Sequence, residues 1–166
     1  VSLDDLRLVR LSTHFTAMEM IRSATGEALG MQNVPGAQQL VHLARLSAQL
    51  EIVRQDVFEG RPLRITSGYR SPALNAAVGG AANSWHIDGC AADFQPPPGM
   101  SHDECQHRIA GAGRILFDLL LEEWTADGLH RWIHFQVPQI GEPLRRLVRD
   151  ASIARLGAPV TRTVPG

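Results

Sequence analysis

The sequence predicts an α+β fold in which a small antiparallel sheet packs against helices, and three observations predict it. Cap signals and helical periodicity fill the chain up to Gly60. Beyond that point, short alternating or apolar segments bounded by Gly and Pro dominate. One polar turn, Thr125-Ala126-Asp127-Gly128, separates two segments suited to a hairpin. Helices first and strands later is the order of an α+β domain.

Each element has its own signal. Thr16-Ala17-Met18-Glu19 has capping-box spacing, so a helix is expected from there to Gly26 or Gly30. Between Pro35 and Gly60, Leu43, Leu46, Leu50, Val53 and Val57 recur at helical intervals, which predicts the main amphipathic helix. Leu63-Arg64-Ile65-Thr66 alternates as a half-buried strand, Ser67-Gly68 breaks it, and Ser71-Pro72 opens a helix that Gly79-Gly80 closes. Cys90 to Phe94 reads as a strand ended by Pro96-Pro97-Pro98-Gly99. Ser101-His102-Asp103-Glu104 then caps a helix toward Gly111 or Gly113. Ile115 to Trp124 and Arg131 to Val137 form the hairpin arms, the first of which also suits a helix end. Beyond Pro143, a short arginine-rich helix and a Gly/Pro/Thr tail are expected at the periphery.

Composition sets the bounds. A chain of 166 residues with 44% hydrophobic content suits one buried core, so residues 1–166 are expected to form a single domain and to act as a monomer. All 16 basic residues are Arg, scattered along a chain of net charge −1, and this excludes an electrostatic footprint for nucleic acid. No apolar run approaches the roughly 20 residues of a membrane span, and Val1-Ser2-Leu3-Asp4-Asp5 carries no signal-peptide pattern. Cys90 and Cys105 fall in different elements; buried thiols are expected, with a disulfide as the alternative.

The candidate functional residues are His86, Asp93 and His134. Two imidazoles and one carboxylate are a frequent ligand set for a hydrolytic zinc that keeps a fourth position open. An aspartate inside the apolar Cys-Ala-Ala-Asp-Phe run is costly to bury unless a cation or donors meet it. Gly89 permits a sharp backbone path between His86 and Asp93, and Ala91 and Ala92 allow close packing around them. The ordinary reading of a single histidine is a surface or hydrogen-bonded side chain, and His14, His42, His102 and His107 are left with that reading. Gly-x-Ser-x-Gly, His-Glu-x-x-His and Pro-Cys-x-x-Cys signatures are absent from the sequence.

In order along the chain stand Ser67-Gly68-Tyr69-Arg70-Ser71, Leu74-Asn75, Val78-Gly79-Gly80, Ser84-x-His86-x-x-Gly89-x-Ala91-x-Asp93 and Trp132-x-His134. Together they resemble the peptidase M15 family of zinc peptidases, the D-Ala-D-Ala carboxypeptidase and L-Ala-D-Glu endopeptidase group. The likeness is greatest to a phage and prophage subgroup, whose start Leu11-Ser12-Thr13-His14-Phe15-Thr16 also resembles, and it spans about residues 10–138. The resemblance implies a hedgehog/DD-peptidase-like fold with the zinc site on the sheet, and one Zn2+ per chain bound by His86, Asp93 and His134. It implies that Arg70 grips a carboxylate of the substrate and that Ser84 lines the site. A planar guanidinium suits bidentate pairing with a carboxylate, and the alternative for Arg70 is a structural salt bridge. The implied substrate is the peptidoglycan stem peptide, met at the cell wall after phage-type release or as part of a particle.

The general base is less fixed. Many members carry an acid three positions before the last histidine, where this chain has Arg131. In the similar subgroup the acid closes the preceding strand, and Phe117-Asp118-Leu119-Leu120-Leu121-Glu122-Glu123 matches that pattern with Glu123 in place. Glu122 points to the opposite face of a strand, Asp127 is a turn residue, and these two, or no acid at all, are the alternatives. His130 is a candidate to support His134 from behind or to donate to an oxyanion, or else an exposed turn residue. The rival to catalysis is a non-catalytic zinc-containing binding module of the same fold, and Arg131 is the feature that favours it.

Overall fold

Residues 2–125, 127–149 and 161–163 are described by the structure, a computed structural model. Four helices come first: α1 (Leu3–Leu6), α2 (Ala17–Ile21), α3 (Ala24–Ala28) and α4 (Ala37–Ile52), the last running into a π-helical turn over Val53–Val57. Strand β1 (Arg64–Ser67), helix α5 (Pro72–Ala77), strand β2 (Ala91–Gln95) and helix α6 (His102–Gly111) follow. The chain then forms β3 (Leu119–Trp124), β4 (Arg131–Gln136), β5 (Leu147–Arg149) and β6 (Thr161–Thr163). The strands make one sheet of order β1-β2-β4-β3-β5-β6, with helices against it, as an α+β fold requires. No helix of the described residues is long and apolar enough to cross a membrane.

The two faces of the sheet have different jobs, because successive side chains of a strand alternate. Ala92, Phe94, Leu120, Ile133 and Phe135 face the helices and are fully buried. Phe94 is the hub there, with Phe58 edge-on at 5.9 Å and Phe135 at 6.5 Å. Leu43, Leu46, Leu50, Val53 and Val57, the periodic set of α4 and its π-helical turn, are all buried in the same core. At about 1.5–3 kcal/mol for each large apolar side chain, this stripe alone accounts for the helix without any functional role. Asp93, Leu121, Glu123, Trp132 and His134 point the other way.

Two expected elements come out differently. The helix from Thr16 begins as the cap predicts, with Thr16 Oγ1 accepting from Glu19 N–H, but it stops at Ile21 and Ser23 caps a separate helix. Tertiary donors end it: the Met20 carbonyl accepts from Tyr69 N–H and the Ile21 carbonyl from Asn33 Nδ2, so the helix terminus is satisfied from outside. After Pro143, where an arginine-rich helix was expected, residues 147–149 form a strand beside β3. Arg145 pairs with buried Asp118, Arg146 donates to the Ile115 and Ala110 carbonyls, and Leu147 N–H donates to the Asp118 carbonyl. Those anchors draw the segment onto the edge of β3 in parallel, so the sheet is antiparallel except at this pair. Ile115–Trp124 does not end as a helix; its last six residues are β3.

Cys90 and Cys105 are separate buried thiols. Burial pushes each up to about 12, which makes them inert core residues.

Candidate metal centre

Asp93 and His134 are brought together by strand register. They are direct partners across β2 and β4, on the sheet face turned away from the aromatic core. His86 arrives from the turn that precedes β2 rather than from a strand. That turn is tight: Ile87 N–H donates to the Ser84 carbonyl, Gly89 N–H to the His86 carbonyl, and Cys90 N–H to the Trp85 carbonyl. Gly89 sits at φ 72°, and a Cβ there would lie 2.8 Å from the Gln39 carbonyl oxygen of α4. From α4, His42 Nδ1–H donates to the Asp88 carbonyl at 2.7 Å, so the turn is stapled to the main helix. His42, assigned no role from sequence, therefore supports the site from behind.

The ligand atoms of His86, Asp93 and His134 lie within 4.8 Å of one another, the only such group of three among the described residues. Asp93 Oδ1 is 3.3 Å from His86 Nε2 and 2.9 Å from His134 Nδ1. The other nitrogen of His86 is committed: Nδ1–H donates to the Gly68 carbonyl at 2.7 Å, which turns Nε2 toward Asp93. An imidazole fixed in this way through its second nitrogen is the usual support of a metal-binding histidine. Burial alone would raise the Asp93 pKa, but the charges and hydrogen bonds of His86 and His134 hold the carboxyl well below the usual carboxylate range. Burial disfavours a charged His134, yet its hydrogen bond to Asp93 raises it. A buried anion flanked by two nitrogen donors is a donor set that a divalent cation fits, since the cation supplies the positive charge otherwise carried by protons on the rings.

Gly68 earns its place twice. A Cβ at this position would fall 2.2 Å from the Met20 carbonyl oxygen, a backbone atom that cannot move aside cheaply. Its own carbonyl orients His86. Gly68→Ala is therefore expected to cost about 1–3 kcal/mol of stability by overpacking and to weaken metal binding roughly 10- to 100-fold. Chemical denaturation and competitive metal titration measure the two effects, and a variant with unchanged metal affinity would separate His86 orientation from this contact.

Arg70 follows Tyr69 out of β1. Its Nη2 lies 3.5 Å from Asp93 Oδ2, while its buried Nε has no partner among the described residues. Burial lowers the guanidinium, and the negative charges of Asp93 and Glu123 counter it. An unmet buried donor costs about 1–3 kcal/mol, so the Arg70 guanidinium is held in place at some expense of stability. Ser84 is half-buried at the start of the His86 turn, and its hydroxyl makes no hydrogen bond to the three candidate ligands.

Glu123 lies on the ligand face, one same-face position beyond Leu121, the cross-strand partner of His134. Trp132, directly opposite Glu123, donates from Nε1 to Glu123 Oε2 at 2.8 Å. Glu123 is near enough for its charge to raise both His134 and Arg70. Glu122 is on the helix face, buried and paired with Arg131 at 3.1 Å. Asp127 is exposed at the hairpin tip, where it accepts from Leu129 N–H. His130 is an exposed turn residue. Arg131, three residues before His134, falls on the opposite face by the two-residue period, where its guanidinium also lies 5.6 Å from the Trp124 ring centroid.

A family model described as Peptidase M15 matches residues 13–115, more than half of the chain. The chain belongs to the peptidase M15 family. None of the curated proteins compared with the chain matches it. M15 peptidases are generally zinc-dependent, and the His86, Asp93 and His134 group is this member's possible metal-binding group. The matched stretch carries Arg70, Ser84, His86 and Asp93 but stops before Glu123 and His134. Both of those fall on the sheet face that carries Asp93. Sequence reasoning missed the Gly68 carbonyl, Asn33 and the Trp132–Glu123 hydrogen bond; only the glycine within Ser67-Gly68-Tyr69-Arg70-Ser71 carried a signal for any of them.

Proposed function

We propose that this M15 peptidase is a zinc-dependent hydrolase of peptidoglycan stem peptides, of the D-Ala-D-Ala carboxypeptidase or L-Ala-D-Glu endopeptidase type. The observation that carries the reading is the convergence of two imidazole nitrogens and one carboxylate beside a second, hydrogen-bonded carboxylate on one sheet face. His86, Asp93 and His134 hold one Zn2+ per chain. Bound zinc supplies Lewis acidity to the scissile carbonyl and the attacking water.

The chain's own residues do the rest. Trp132 Nε1–H fixes Glu123 Oε2, which leaves Oε1 to take a proton from the attacking water and deliver it to the leaving amine nitrogen. A C–O bond forms, the C–N bond breaks, and the products are a carboxylic acid and an amine. Arg70 meets a carboxylate of the stem peptide with the guanidinium donors that Asp93 leaves unused, and Ser84 lines the site. Arg70→Ala is expected to raise KM about tenfold or more while leaving kcat within a few-fold. Steady-state kinetics with zinc content checked in parallel test this, and an unaltered KM would confine Arg70 to supporting Asp93.

The direct test is mass spectrometry of purified muropeptides incubated with the protein, with chelated and zinc-restored samples alongside. Zinc-dependent loss of a terminal alanine identifies a carboxypeptidase, and a cut between L-Ala and D-Glu an endopeptidase. Intact muropeptides with zinc bound would instead favour the binding module. Arg131, which favours that rival by standing where many members carry an acid, is turned to the helix face and paired with Glu122, while Glu123 takes the face of the candidate ligands.

A further inference from the structure

We propose that Asn33 is a positioning residue that presents Arg70 to the substrate carboxylate, an inference that rests on the function proposed above. Asn33 lies in the linker between α3 and α4, well away from Arg70 in sequence, and is buried. All its side-chain polar groups are used on two other segments. Nδ2 donates to the Ile21 carbonyl at the end of α2 at 2.7 Å, and to the Tyr69 carbonyl at 2.8 Å. Oδ1 accepts from Ser71 N–H at 2.6 Å. The carboxamide thus grips the backbone immediately before and immediately after residue 70.

A further contact of that backbone runs to the candidate metal centre: Arg70 N–H donates to the His86 carbonyl at 3.1 Å, while Tyr69 N–H is held by the Met20 carbonyl. Residue 70 is held between a metal-ligand turn on one side and Asn33 on the other. Ser71 is in turn the cap of α5, its hydroxyl accepting from Leu74 N–H, so the register of that short helix also passes through the Asn33 contact. A long side chain delivers its charge accurately only when its Cα is fixed. Here the fixing comes from a neutral amide that adds no charge to compete for the incoming carboxylate. Among the described residues, Asn33 is the side chain that bonds the backbone on both sides of residue 70, and none of its hydrogen bonds goes to the three metal-ligand candidates. Loss of the Asn33 side chain is therefore expected to act on substrate binding before metal binding.

The test uses the zinc-loaded protein with a muropeptide that the wild type cleaves. Asn33→Ala is expected to raise KM roughly tenfold, with kcat within about threefold and zinc stoichiometry unchanged. In an Arg70→Ala background the same substitution is expected to add little, because the two residues act as a unit. Should Asn33→Ala not accumulate as folded protein, Asn33→Ser, whose hydroxyl keeps one donor, carries the same comparison with a smaller KM increase. A KM equal to that of the wild type, or a KM increase that simply multiplies with that of Arg70→Ala, overturns the inference while leaving the proposed function standing. A wild-type protein that neither cleaves nor binds any muropeptide overturns the proposed function, and the role of Asn33 falls with it.

Discussion

Asp93→Ala is expected to abolish metal retention and to lower turnover by on the order of 10^4-fold. Asp93 touches both other candidate ligands and Arg70: Oδ1 faces His86 Nε2 and His134 Nδ1, and Oδ2 faces Arg70. Removing it leaves two neutral nitrogen ligands for a divalent cation, fewer than a hydrolytic zinc site holds. It also leaves the largely buried Arg70 charge without its closest anion, and breaking one partner out of a buried pair costs about 3–5 kcal/mol. Elemental analysis after dialysis and thermal unfolding with and without zinc measure both effects. In the wild type, zinc is expected to raise the melting temperature because it binds the folded state selectively. In Asp93→Ala that rise is expected to vanish. A variant that still gains stability from stoichiometric zinc would place the metal elsewhere, and the ligand assignment would fail.

How much of this was legible beforehand follows from how local each feature is. His86 and Asp93 stand seven positions apart within one segment, where residue types and a glycine announce the site. His134 lies on another strand and was legible only through the Trp132-x-His134 resemblance; the β2–β4 register puts it directly opposite Asp93. The two-residue period of a strand separates Glu123 from Glu122 and turns Arg131 away, so parity along two strands puts Glu123 alone of the three on the face of the candidate ligands. The misread elements are those decided by distant partners. Nothing near Ile21 announces a helix end, because the groups that satisfy its last carbonyls come from Asn33 and Tyr69. Leu147-Val148-Arg149 follows two arginines and reads as helical, yet Asp118 and the edge of β3 claim it. Local propensity is a weak prior against an anchored strand edge.

Glu123→Gln is expected to retain zinc and a near wild-type KM while kcat falls by about 10^2–10^4-fold. The substitution is nearly isosteric, and the amide oxygen can still accept the Trp132 Nε1–H that now reaches Glu123 Oε2 at 2.8 Å. What is lost is the capacity to take a proton, so the variant isolates proton transfer from packing. Alternative acids have poor access. Glu122 is buried on the helix face against Arg131, and Asp127 is tied to the turn at the hairpin tip. Glu122→Gln is therefore expected to act on stability, through its ion pair, with little change in kcat. Measured together by single-turnover hydrolysis and zinc content, the pair of variants gives opposite signatures if the strand parity governs the chemistry. Retained turnover in Glu123→Gln with turnover lost in Glu122→Gln would reverse the assignment, and it would require the end of β3 to rotate about its axis so that the two faces exchange.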